Sequence, residues 1–271
     1  MGNAAISCGP GRCKSITTGN FLCSLEIDSL SHIRIQQGLK GKYRKYTRLL
    51  RYDVSNPLAP VYAAEYVVPL PLYPDPEEDP ADNLRVAKQS EIHALANGQF
   101  LVLARDSGAG HGQARSRSVY RHVDVFDVSA ATDIRGAAHD CATCAVASTK
   151  AVLASGVEPA RLCPWLDFNA DAQLARFGLH NGGAQDAALL NEKWESIALV
   201  PVEPGRGKTG KCGRKVVPAQ EDGEEFFLIS LSDNDFITQH GFLNGGAFTY
   251  ADSSGYNLDN QALVFRVRIP N

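Results

Sequence analysis

The stretch SEIHALANGQFLVLARD, residues 90–106, decides how the chain is read. It opens with Glu91 at the head of an apolar run and breaks at Ala96-Asn97-Gly98. A second apolar run from Phe100 then closes on Arg105 and Asp106. Asn-Gly between two short apolar runs is a hairpin signal. The pattern recurs: Trp194-Glu195-Ser196-Ile197-Ala198-Leu199 leads through a longer connection into EEFFLISLSDNDF (224–236), which closes on Asp233, Asn234 and Asp235. Each copy is a Glu at the head of one strand and an Asp at the end of the next.

Another element occurs three times: Leu50-Arg51-Tyr52-Asp53-Val54-Ser55, Val125-Phe126-Asp127-Val128-Ser129 and Leu263-Val264-Phe265-Arg266-Val267-Arg268. Apolar and charged residues alternate in each, the period of a half-exposed strand. Paired inner strands followed by an outer amphipathic strand, recurring in one chain, predict an all-β fold with radially repeated sheets. In such a propeller the acidic strand ends meet at a channel mouth. A plain sandwich satisfies the same periodicity.

Composition narrows the function classes. The chain has 271 residues, 44% hydrophobic and 21% charged, with a net charge of −3. That balance predicts no nucleic-acid partner, and no apolar run is long enough to predict a membrane span. The N-terminal sequence MGNAAISCGPGRCKS carries no signal-peptide core. The seven cysteines are an odd number, so at least one thiol is unpaired. Cys141 and Cys144 have zinc-type spacing, with His139 and Cys163 as conceivable further ligands; a disulfide from Cys163 to Cys141 or Cys144, pinning a long loop, is the competing expectation. GRGKT (205–209) is not a P-loop, because Val202 stands where its first Gly belongs. There is no GxSxG nucleophile elbow. Between the repeats lie an acidic, proline-rich loop (69–80), a short helix near 170–177 and a basic insertion (203–223).

The blocks YDVSNPLAPVYAAEYVVPLPL, QSEIHALANGQFLVLARDSGAGHG, YRHVDVFDVSAATDI, DCATC, LDFNADAQLARFGLHNGGAQ, LNEKWESIALVPV, LISLSDNDFITQHG and LDNQALVFRVRIP succeed one another from Leu49 to Pro270. In order and length they resemble the C-terminal part of the phytase-like β-propeller family, in particular its larger secreted fungal members. The resemblance implies a partial β-propeller of about three to four blades, open on its N-terminal side, with long loop insertions. It covers 41–271 and leaves 1–40 unmatched, as a poorly ordered segment. It also implies an extracellular location and a small ester or phosphate substrate.

On this reading Glu91, Glu195, Asp233 and Asp235 supply the hard oxygens that Ca²⁺ needs. Arg105 and His111, in the glycine-rich ARDSGAGHG loop (104–112), neutralise charge developing on a phosphoryl or acyl group, with Glu195 as a third catalytic group. Asp106 and Asn234 contact the substrate. The function implied is metal-assisted hydrolysis of an ester or phosphoester. The competing function is a non-catalytic binding propeller, in which Glu91 and Glu195 bond backbone amides between blades. Trp194 belongs to the core in either case.

Overall fold

The computed structural model describes residues 21–26, 41–79, 83–95, 99–136, 138–140, 144–203 and 224–269. Strands dominate it. The expected turn at 96–98, the GRGKT segment and most of 1–40 lie outside the described residues, although 21–26 form a strand.

Three main sheets, all antiparallel, carry the fold. The first comprises β1 (Phe21–Glu26), β2 (Tyr46–Asp53) and β3 (Val61–Pro69), in that order. A two-stranded ribbon comes next, β4 (Leu72–Pro74) with β5 (Leu84–Val86). The central sheet is a four-stranded meander of β6 (Lys88–Ala94), β7 (Gln99–Arg105), β8 (Arg121–Asp127) and β9 (Arg161–Asp167). The third sheet has β10 (Lys193–Pro201), β11 (Glu224–Asp233) and β14 (Ala262–Ile269), with the ribbon β12 (Gly241–Leu243) and β13 (Phe248–Tyr250) between β11 and β14. The one α-helix among the described residues, α1 (Asp171–Leu174), runs into a 3-10 turn at Ala175–Phe177 and fulfils the expected short helix.

The period of two along β7 and β8 explains how the sheets stack. Leu101, Leu103, Val123 and Val125 pack with Trp194, Ile197, Leu228, Leu263 and Val267 of the third sheet. Phe100, Val102 and Phe126 point the other way, onto Leu49 and Val68 of the first. The central sheet is therefore buried on both faces. The three recurring segments fall on β2, β8 and β14, but only β14 is an outer strand: β2 lies between β1 and β3 and β8 between β7 and β9, and only β14 alternates cleanly with solvent. β8 is buried over Val123, Asp124, Val125 and Phe126 because it lies mid-stack.

The far face of the first sheet is closed by the long loop. Val67 meets Ile134, Val146 and Val157 there. The main chain joins as well: Ile134 N–H donates to Glu65 O (2.8 Å) and Ala160 N–H to Val67 O (2.8 Å). Beneath the loop the Arg48 guanidinium is paired with the fully buried Glu65. Cys144 is in a disulfide. Cys163, on β9, is a free thiol, so the expected bridge from Cys163 does not form. Cys141 lies outside the described residues.

Candidate functional site

The strand ends that read alike in sequence come out differently. Asp106 turns inward and is almost fully buried. Ser118 Oγ–H donates to one carboxylate oxygen (2.7 Å) and Val119 N–H to the other (2.8 Å). Asn181 continues this network, accepting from Ser118 N–H (3.0 Å) and donating to Ser118 O (2.9 Å). Asp106 thus ties the glycine-rich loop to the central sheet and has no oxygen exposed to a substrate.

Arg105 is also buried. It donates to Glu192 Oε1 (3.1 Å) and to Glu195 Oε1 (2.6 Å). Glu192 additionally accepts from Gly108 N–H (3.2 Å), which fixes the loop against β10. Glu195 sits in a β-bulge between Trp194 and Ser196, while the bulge in β6 falls at Ser90, between Gln89 and Glu91. The two glutamates are consequently not equivalent. Glu91 lies opposite Leu103, three residues before Asp106; three residues before Asp233 the register places Ile197, not Glu195. The Glu91 carboxylate accepts from Ile197 N–H at 2.5 Å, across the boundary between the central and third sheets.

At the end of β11, Asp233 and Asn234 build two successive side-chain turns. Asp235 N–H donates to Asp233 Oδ1 (3.0 Å) and Phe236 N–H to Asn234 Oδ1 (3.1 Å). They hold Asp235 (φ 53°) and Phe236 (φ 59°) in the left-handed region. That conformation is uncommon for an Asp and an outlier for a Phe. Asn234 Nδ2 ties the turn to Leu258 O (3.0 Å), and Lys193 Nζ reaches Asp235 Oδ1 (2.6 Å). Asp235 raises the Lys193 pKa further above its ordinary value, chiefly through this bond.

A small cleft results, lined by His111, Asn191, Glu192, Lys193, Asp233, Asn234, Asp235 and Leu258 among others. Its volume is about 10 Å³, room for a single water. His111 is held by its N–H to Leu190 O (2.9 Å) and meets the edge of Tyr256 at 6.4 Å. Burial pulls its imidazole below the ordinary pKa, and the nearby Asp186, Asn191 and Asp259 only partly offset that pull, so the ring is neutral at pH 7.

Of the residues expected from sequence, His111, Asp233, Asn234 and Asp235 share this cleft. Arg105 and Glu195 meet each other behind Glu192, Glu91 serves the sheet boundary and Asp106 serves the loop. Glu91, Glu195, Asp233 and Asp235 do not form one shell of the six to eight oxygens that calcium takes. Among the described residues no group of three or more His, Cys, Asp or Glu side chains is disposed to hold a metal ion. A cation beside Asp235 would have to displace the Lys193 ammonium.

Sequence reasoning does not single out Lys193, Asn191 and Glu192, although they stand next to the recognised Trp194-Glu195 pair. Nor does it find Arg121. That residue is fully buried under the loop, donating to Ala109 O (2.8 Å), Asn169 Oδ1 (3.2 Å) and Asn181 Oδ1 (3.2 Å), and burial holds its pKa down to about 10. A Cβ on Gly110 (φ +132°) would meet Arg121 Nη2 at 2.5 Å. This glycine therefore admits an arginine of the chain itself, not the close ligand approach that the loop's composition suggests.

No family model matches the chain, and no solved structure matches it. A curated protein of Arthroderma benhamiae, described as an uncharacterized secreted protein, is 47% identical over 207 residues. The match covers 75% of this chain and 38% of that protein, so the chain spans well under half the length of the curated relative.

Proposed function

We propose that this chain is part of a secreted, phytase-like β-propeller whose cleft holds the attacking water while a small phosphate or ester binds at its open mouth and is hydrolysed. The observation that carries the reading is the convergence of His111, Lys193, Asp233 and Asp235 on one cleft at the joined ends of β10 and β11. The stacking of three sheets through alternate apolar faces supports the propeller, and the secreted relative supports the location.

Chemically, a neutral imidazole can accept a proton from a water held in the cleft. The Lys193 ammonium, already fixed by Asp235, can donate to an anionic oxygen of the substrate. Arg105 acts behind them, neutralising Glu192 and Glu195 so that the cleft is not uniformly acidic. No step requires Ca²⁺ as these residues are arranged, and calcium becomes a variable of the assay.

The test is turnover of p-nitrophenyl phosphate and p-nitrophenyl acetate by the full chain, with calcium and with chelator. His111→Ala should lower the rate by about 100-fold, within the range for a removed general base. Lys193→Met should raise KM for the phosphate more than for the acetate. Rates equal to the blank in every arm would overturn the hydrolase.

The second reading, a binding propeller without catalysis, is favoured by one specific observation. The Glu91 carboxylate bonds Ile197 N–H between two sheets, the stitching role expected of it. Under that reading inorganic phosphate raises the melting temperature although no ester is turned over.

A further inference from the structure

The two outermost sheet faces are treated unequally. The first sheet is closed by the loop at 133–157, whereas nothing among the described residues covers the far face of the third sheet. Cross-strand rows on that face read Val200–Phe227–Arg266, Ala198–Ile229–Val264 and Ser196–Leu231–Ala262. Val264 is 58% exposed, Leu231 49%, Val200 43% and Phe227 38%. The alternation is the one by which the opposite face packs on the central sheet, so among the described residues this is a core-type face without a partner layer.

Charge is divided between the two ends of the face. At one end Glu225 stands with Arg266 and Arg268, leaving a net positive charge. At the other, Lys193 stands with Asp233 and Asp235, leaving a net negative charge. Glu225 and Asp233 lie equally far from Ile229 along β11, so a two-fold rotation centred on Ile229 lays the basic end of one copy over the acidic end of another. We infer that this face pairs with the same face of a second copy, sheet on sheet with strands antiparallel.

The face spans about 14 Å across three strands and about 27 Å along eight residues. That is roughly 400 Å² per copy, about half of a standard interface. Association is therefore weak, in the micromolar range, and reversible.

The test is sedimentation equilibrium of the full chain at 10–500 µM. The mass is expected to rise with concentration from 29.2 kDa towards twice that value. Val264→Lys should weaken association at least tenfold with an unchanged far-UV circular dichroism spectrum. Arg266→Glu should weaken it more in low salt than in high salt. A monomer throughout the range would overturn the inference, because the face would then be free or reserved for a different sheet. A dimer that withstands Val264→Lys and Leu231→Lys alike would also overturn it, since the contact would lie elsewhere.

Discussion

The end of β7 and the end of β11 carry aspartates at matching places, Asp106 and Asp233, but in opposite environments. Asp106 is buried and satisfied by Ser118 and Val119, whereas Asp233 is exposed and starts a left-handed turn that leans on Lys193. The difference arises from the segment that each strand runs into. After β7 comes a glycine-rich loop that folds back over Arg121, and after β11 comes a turn built by side chains. One acid serves architecture; the other shapes a cleft.

The strongest way to break this comparison is Asp106→Ala. It leaves a buried hydroxyl and a half-buried N–H without an acceptor and should cost about 3 kcal/mol in urea unfolding. Asp233→Ala should cost under about 1 kcal/mol in the same experiment. Equal losses would mean that the two ends play one role. Next in size is Gly110→Ala, expected to destabilise by about 2 kcal/mol through its positive φ and the contact with Arg121. Gly108→Ala, where a Cβ meets open space, should cost about 1 kcal/mol from φ alone.

Smaller still, Phe236→Gly should stabilise by about 0.5–1 kcal/mol, because an exposed Phe in the left-handed region gives up little packing and relieves strain. No such gain is available at the Asp106 end.

The finest test is titration of two histidines by NMR. His111 should titrate below its ordinary value of 6.5, because burial favours the neutral ring. His180 should titrate above it, because Asp186 and Gly182 O accept from both ring nitrogens. The two act on stability in opposite senses. The His180 contribution is complete below pH 6.5 and is lost as pH rises through its raised folded value. His111 weakens the fold as pH falls through 6.5, where only the unfolded chain takes up the proton. Titration in the reverse order would dismantle the electrostatic picture of the cleft.

Sequence shows the strands of the repeated elements (β2, β6, β7, β8, β10, β11 and β14), the short helix and the burial of Trp194 because each is a local pattern. Strands such as β4, inside the proline-rich segment read as a loop, and β9 form through pairing that no local pattern announces. The sequence pattern equates Glu91 with Glu195, and the folded chain separates them for a physical reason. Each strand carries a one-residue bulge, but in β6 it falls at Ser90, just before Glu91, and in β10 on Glu195 itself, and alternation alone carries no mark of a bulge. Likewise SDNDF reveals its acids but not their partner. Lys193 is forty-two residues from Asp235 and is recruited by strand pairing. The cysteine spacing fails at Cys163 because a bridge depends on distance in space, which spacing along the chain does not set.

The two-sided burial of β7 and β8 carries one more consequence. Their amides are screened by a layer on each side, so deuterium reaches them only when the stack comes apart. The first and third sheets can peel away singly, each leaving the middle still covered on one side. Exchange should therefore proceed from the flanks inward, with Leu101, Val102, Val123 and Val125 as the last protons retained, and their rate should report global unfolding rather than local opening.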